Sequence, residues 1–172
     1  MPFTPFHLGP ALVIGIIFIY YLDLPTLLVA SVILDIEPFI VLLLDLNYPL
    51  HGFFHSFLGG TSIILPLSYI MFKIRSYLNP ITDFFKLEQK SSFLNILAAS
   101  IIGIYTHILL DVPLYFDIQP LFPLNINPFF DTSALSGIAI YLFCAYCFLA
   151  ALVLYFVRLT IKFKNKKNKK KL

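Results

Sequence analysis

Residues 93–115 read FLNILAASIIGIYTHILLDVPLY, an aliphatic and aromatic run without lysine or arginine, in which His107 stands four positions before Asp111. A helix needs about 20 mainly apolar residues to cross a hydrocarbon core of about 30 Å, so this run is long enough to span a bilayer. It is continuous and does not alternate, which indicates a helix and not a strand of a barrel. Its two ionisable residues are out of place in lipid. A carboxylate at membrane depth costs about 2.5–3.5 kcal/mol on the lenient insertion scale, so it must face a partner, a metal or water.

Four other runs resemble this one, at 5–22, 24–46, 51–77 and 134–161. The chain is 59% hydrophobic and only 12% charged, which excludes an ordinary soluble domain. The expected fold is all-α, a polytopic membrane helical bundle of about five transmembrane helices. Residues 1–161 form a single membrane-embedded domain and residues 162–172 a basic tail. The first run, MPFTPFHLGPALVIGIIFIYYL, has no basic n-region and no small-residue cleavage site, so it reads as a membrane helix. Thr4 is its expected N-cap, with Pro5 at the first helical position and His7 in the first turn. Cys144 and Cys147, in FCAYCF, read as packing residues.

Basic residues set the orientation. Lys73, Arg75, Lys86 and Lys90 surround the connection between the third and fourth runs, and Arg158 with seven lysines crowds the C-terminus. The positive-inside rule places both regions in the cytoplasm, with the N-terminus outside a cell (inner or plasma) membrane. The tail KFKNKKNKKKL reads as a topology anchor touching anionic lipid headgroups, and no specific nucleic-acid binding is expected. PITDFFKLEQKSS (80–92) reads as a short amphipathic helix on the inner leaflet, with Phe84, Phe85 and Leu87 dipping into it.

All four histidines, His7, His51, His55 and His107, then fall at the outer ends of runs, and the inner halves carry almost no polar residues. The pairs His51/His55 and His107/Asp111 have helical spacing of four, so each presents two groups from one face as a chelating clip. Asp35 and Glu37 are two apart and point about 200° away from each other on a regular helix. Pro38 cannot donate to the carbonyl of Leu34, so a distortion there brings both carboxylates to one cavity and frees a carbonyl. Ser56 reads as a local hydrogen-bonding residue, because no Gly-x-Ser-x-Gly surrounds it. Asp131 reads as the cap of the last helix, and Asp117 as an ordinary loop residue.

The ordered set TPFH, LDIEP, HGFFHS and HILLD, spread over residues 1–130, resembles the membrane-bound metal-dependent hydrolase family, also described as LexA-binding, inner-membrane-associated hydrolases. That resemblance implies one polar site made of His7, Asp35, Glu37, His51, His55, His107 and Asp111. Where the family often has arginine after the first histidine of the pair, this chain has Gly52, and so no fixed positive group there to grip an anionic substrate.

Mixed histidine and carboxylate sets suit Zn, Mn or Fe, and seven ligands exceed the needs of one tetrahedral ion, so one or two ions are expected. The expected function is metal-assisted hydrolysis of a lipid or phosphoester, with Asp35 or Glu37 as base. The loop FDIQPLFPLNINPFFD (116–131) reads as a lid. The alternative is a non-enzymatic protein in which the same residues form a structural metal site or a divalent-metal or proton pathway.

Overall fold

The computed structural model describes residues 5–169, and among these every regular element is a helix. A 3₁₀ turn at Pro5–His7 leads into α1 (Leu8–Ile17). α2 (Leu24–Ala30) and α3 (Ile36–Leu43) are joined through a second 3₁₀ turn, Ile33–Asp35. α4 (Phe57–Ile74) continues through a turn into the short α5 (Asn79–Phe84), and α6 (Phe93–Asp111) and α7 (Ala134–Lys169) complete the bundle. Four stretches are long and apolar enough to cross a membrane: Leu24–Leu43, Phe57–Phe84, Phe93–Asp111 and Leu135–Asn165. The first expected span, 5–22, is shorter than anticipated. Pro5–Ile17 rises only about 20 Å at 1.5 Å per residue. The expected cap at Thr4 lies outside the described residues.

α6 packs against both α2 and α4, and α1 packs against α2 and α7. Because lipid is as apolar as leucine, close backbone approach matters more here than hydrophobicity. Gly103 supplies it, since a Cβ there would lie 2.5 Å from the Ala30 Cβ and 2.9 Å from the Leu27 carbonyl oxygen. Ser68 on α4 donates to Ser100 on α6 at 2.9 Å, a buried interhelical hydrogen bond. Around these contacts Leu34, Ile64, Leu67, Ile96, Ile104 and Ile108 form the core. α7 rests mainly on α1, while Leu135, Leu142, Phe143, Tyr146, Leu149 and Phe156 face outward.

The second run breaks one turn before the position expected from Pro38. Pro38 is the third residue of α3, where its missing N–H removes no bond the helix would make. The disrupted register therefore falls at residues 31–35, where the chain turns into α3. The amphipathic helix expected over 80–92 is confined to α5, and Leu87 is buried with Ile19 and Leu24 instead of dipping into lipid.

The end of the bundle that holds Asp23 and Arg75 is more polar than the sequence suggested. Asp23 is fully buried and caps α2, accepting from the Thr26 amide at 3.0 Å and the Thr26 hydroxyl at 2.6 Å. Its other oxygen accepts from Arg75 Nε and from Ser91 Oγ. Gln89 donates to the carbonyls of Ile19 and Leu22 at 2.6 and 2.7 Å, pinning the 86–92 segment to the corner between α1 and α2.

Candidate metal centre

Four separate parts of the chain bring buried ionisable groups to the opposite end of the bundle. His7 comes from the turn before α1, Asp35 from the α2–α3 break, His51 and His55 from the segment before α4, and His107 and Asp111 from the last turns of α6. All six are buried, and His55 and His107 have no exposure at all. They form two groups, His7/Asp35/His107/Asp111 and His51/His55/Asp111, each with its donor atoms within 4.8 Å of one another. Asp111 belongs to both.

His51 and His55 reach the site by a route other than the helical clip expected. α4 starts only at Phe57, capped by Ser56, whose Oγ accepts from the Gly59 amide at 2.9 Å and donates to the Phe53 carbonyl at 2.7 Å. The histidines lie in the turn ahead of that cap, with ring centroids 4.9 Å apart. Gly52 makes room for Tyr48, because a Cβ on it would sit 2.1 Å from the Tyr48 ring, whose hydroxyl accepts from the Phe53 amide at 3.0 Å. The i, i+4 pair on α6 is as expected, with His107 Nε2 3.1 Å from Asp111 Oδ2.

Three histidines are held through Nδ1 by groups outside the cluster. His107 Nδ1 is 2.8 Å from the Ser31 carbonyl oxygen, a group freed by the break after α2. His55 Nδ1 is 2.8 Å from Glu37 Oε2, and His51 Nδ1 is 3.0 Å from Asp117 Oδ1. A carbonyl can only accept, so His107 Nδ1 carries the proton and donates; the carboxylates impose the same tautomer on His55 and His51. Each ring then turns the Nε2 lone pair inward, the arrangement in which an outer carboxylate or carbonyl orients a metal-ligating histidine.

Glu37 therefore stands outside both groups, where a direct ligand or base was expected. Its second oxygen accepts from the Phe54 amide at 3.3 Å. Asp117, read as an ordinary loop residue, instead holds His51 through both ring and amide. Burial opposes its ionisation, but the His51 contacts outweigh it and hold the Asp117 carboxyl below the usual range. The start of the 116–131 loop is thus part of the site wall, with Ile118 fully buried and the Pro120 carbonyl accepting from the Phe57 amide at 3.0 Å. Asp131 turns the chain by accepting from the Ser133 amide at 2.8 Å, and Ser133 provides the cap that Asp131 was expected to make.

The donor chemistry fits a divalent cation. His107 Nε2 faces Asp111 Oδ2 at 3.1 Å, His55 Nε2 at 3.4 Å and Asp35 Oδ1 at 3.9 Å. His7 Nε2 lies 3.2 Å from Asp111 Oδ1, its ring stacked on His107 at 4.1 Å, and its Nδ1 is buried without a hydrogen-bond partner. Lone pairs and carboxylates converging in this way repel unless a metal cation or a proton lies among them.

Two openings flank the cluster. A groove of about 470 Å³ between α3 and α4 is lined by Ile33, Ile36, Ile40, Phe54 and the Glu37 carboxylate. A smaller and more polar pocket of about 190 Å³ is lined by His51, Ser56, Asp117 and Gln119 together with Phe53 and Phe122, and Tyr48 borders both. No family model, curated protein or solved structure matches the chain.

Proposed function

We propose that the protein is a membrane-embedded, metal-dependent hydrolase acting at the outer end of its helical bundle on a lipid or phosphoester. The observation that carries this reading is the convergence of the His55 and His107 Nε2 lone pairs on Asp111, each ring fixed through Nδ1 from outside. His7, His107 and Asp111, with His51 and His55 beside them, would hold one or two ions, and zinc suits the set best. A divalent cation there supplies Lewis acidity and water activation at neutral pH.

The chain's own residues do the rest. Asp35, facing His107 at 3.9 Å, takes the proton from the attacking water. Glu37 has one oxygen on His55 Nδ1 and the other on the Phe54 amide, so it positions His55 instead of acting as base. The apolar groove beside Glu37 and the polar pocket at His51 suit a substrate with a hydrocarbon part and a polar bond to be cleaved. The ordered motifs that resemble the membrane-bound metal-dependent hydrolases support the same reading.

The experiment is hydrolysis of phosphoesters and lipid esters in mixed micelles by protein loaded with Zn, Mn or Fe. Asp35→Asn should retain metal and lose about 10²-fold or more in rate, the contribution of a positioned general base. Hydrolysis at an unchanged rate in that variant would remove Asp35 from the mechanism. The second reading is a proton in place of the metal, with a buried His107 imidazolium held by Asp111 at 3.1 Å. It predicts that neither metal nor hydrolysis is found.

A further inference from the structure

Far from the histidines, the groove between α1 and α7 ends in a guanidinium that makes no direct ion pair among the described residues. Phe6 packs on Tyr141 at one end of this helix pair, and Arg158 lies over Tyr20 at the other, its guanidinium carbon 5.2 Å from the ring centroid. The distance from Tyr141 to Arg158 along α7 is about 25 Å at 1.5 Å per residue, close to a hydrocarbon thickness. Arg158 makes no hydrogen bond or ion pair among the described residues, and its Nε is buried without a partner. Leaving a guanidinium donor desolvated and unpaired is costly.

The space beside it is shaped for more than a bare ion. A groove of about 540 Å³ runs between the helices, with Ile16, Ile17, Leu154, Val157 and Ile161 along its walls and Arg158, Lys162 and Asn165, with the single acid Glu88, toward the chain's basic end. Lys162 is partly committed, as it contacts Glu88 and the Lys86 carbonyl. Arg158 makes no such direct contact, and the Glu88 carboxylate it shares the groove with is taken by Lys162. Tyr20 and Tyr21, both largely exposed beside the end of α1, are residues of the kind that sit at headgroup level.

We infer that this groove is a binding site for an anionic phospholipid, with its phosphate on the Arg158 guanidinium and an acyl chain between α1 and α7. Arginine is suited to the phosphate because its planar fork donates two parallel hydrogen bonds, and the apolar walls replace lipid contacts along the chain. The site is independent of the proposed chemistry. It holds a lipid at the end of the bundle that the basic residues assign to the cytoplasm.

Native mass spectrometry of the full chain in detergent, with phosphatidylglycerol and phosphatidylcholine of identical acyl chains, tests this directly. Wild type should retain a single phosphatidylglycerol in preference to phosphatidylcholine by about tenfold or more, the factor supplied by one charge-assisted hydrogen bond. Arg158→Gln should abolish the preference, and Arg158→Lys should keep part of it, with the unfolding temperature in lipid-free detergent unchanged in both. Replacing Lys167, Lys169, Lys170 and Lys171 by Gln should leave it intact. Equal retention of the two lipids by wild type, or a preference that survives in Arg158→Gln but disappears in the tail variant, overturns the assignment.

Discussion

The Nε2 atoms of His55 and His107 lie 3.4 Å apart, although the residues come from different elements and both rings present their Nδ1 to acceptors. Two neutral rings held in this way face each other lone pair to lone pair. That contact is unfavourable alone and favourable around a cation, so these two nitrogens are the centre of the account.

Glu37 acts on the site through His55. Glu37→Ala should leave the fold intact and weaken metal binding by about 10–100-fold, the usual consequence of removing an outer carboxylate from a ligating histidine. Competition titration against a chelating dye measures it. Asp117→Ala should behave similarly through His51, whereas Asp117→Asn, which can still accept from the ring, should cost less.

Metal binding should also depend on pH in one direction. Histidine must be neutral to ligate, so protons compete with the metal as pH falls. Protein dialysed at about pH 5.5 should lose metal that protein dialysed at about pH 7.5 retains. Equal retention at both pH values would count against histidine ligation.

At the end of the bundle opposite the histidines, Asp23→Ala leaves Arg75 buried without its carboxylate. Breaking a buried pair from one side typically costs about 3–5 kcal/mol. A lower unfolding temperature in detergent with unchanged metal content is expected. Loss of metal as well would mean that the two ends of the bundle are energetically coupled.

Gly103 sets the approach of α2 to α6. Gly103→Val forces the Ala30 side chain and the Leu27 carbonyl apart, with an overpacking cost of about 1–3 kcal/mol or more. Because the α2–α6 contact also places Ser31 against His107, metal content should fall together with thermal stability. A variant as stable as wild type would contradict the close packing described here.

Much of this arrangement was legible before any coordinates. Histidine is scarce in the chain, and carboxylates do not sit in lipid unaided, so His107, Asp111, Asp35 and the 51/55 pair stood out against an apolar background. Spacing alone misled at His51 and His55. The Ser56 cap prevents a helix from starting before Phe57, and a Ser placed three residues ahead of an amide that can donate to it, here that of Gly59, was the available signal. Glu37 and Asp117 were harder to place because which carboxylate touches metal and which holds a ring depends on distances between elements. The Asp23–Arg75 pair joins residues far apart in sequence. Asp23 was detectable only as an N-cap, from the order Asp23, Leu24, Pro25, Thr26.

The central claim is that this cluster holds a metal, and the most direct measurement is bound metal per chain, determined by elemental mass spectrometry on detergent-purified protein beside His51→Ala/His55→Ala and His107→Ala variants. A stoichiometric divalent metal is expected in the wild type, lost in His107→Ala and reduced or lost in the double variant, with helical content unchanged in all three. Wild-type protein that carries no metal even after controlled reloading would contradict it, leaving these histidines as proton-handling or packing groups.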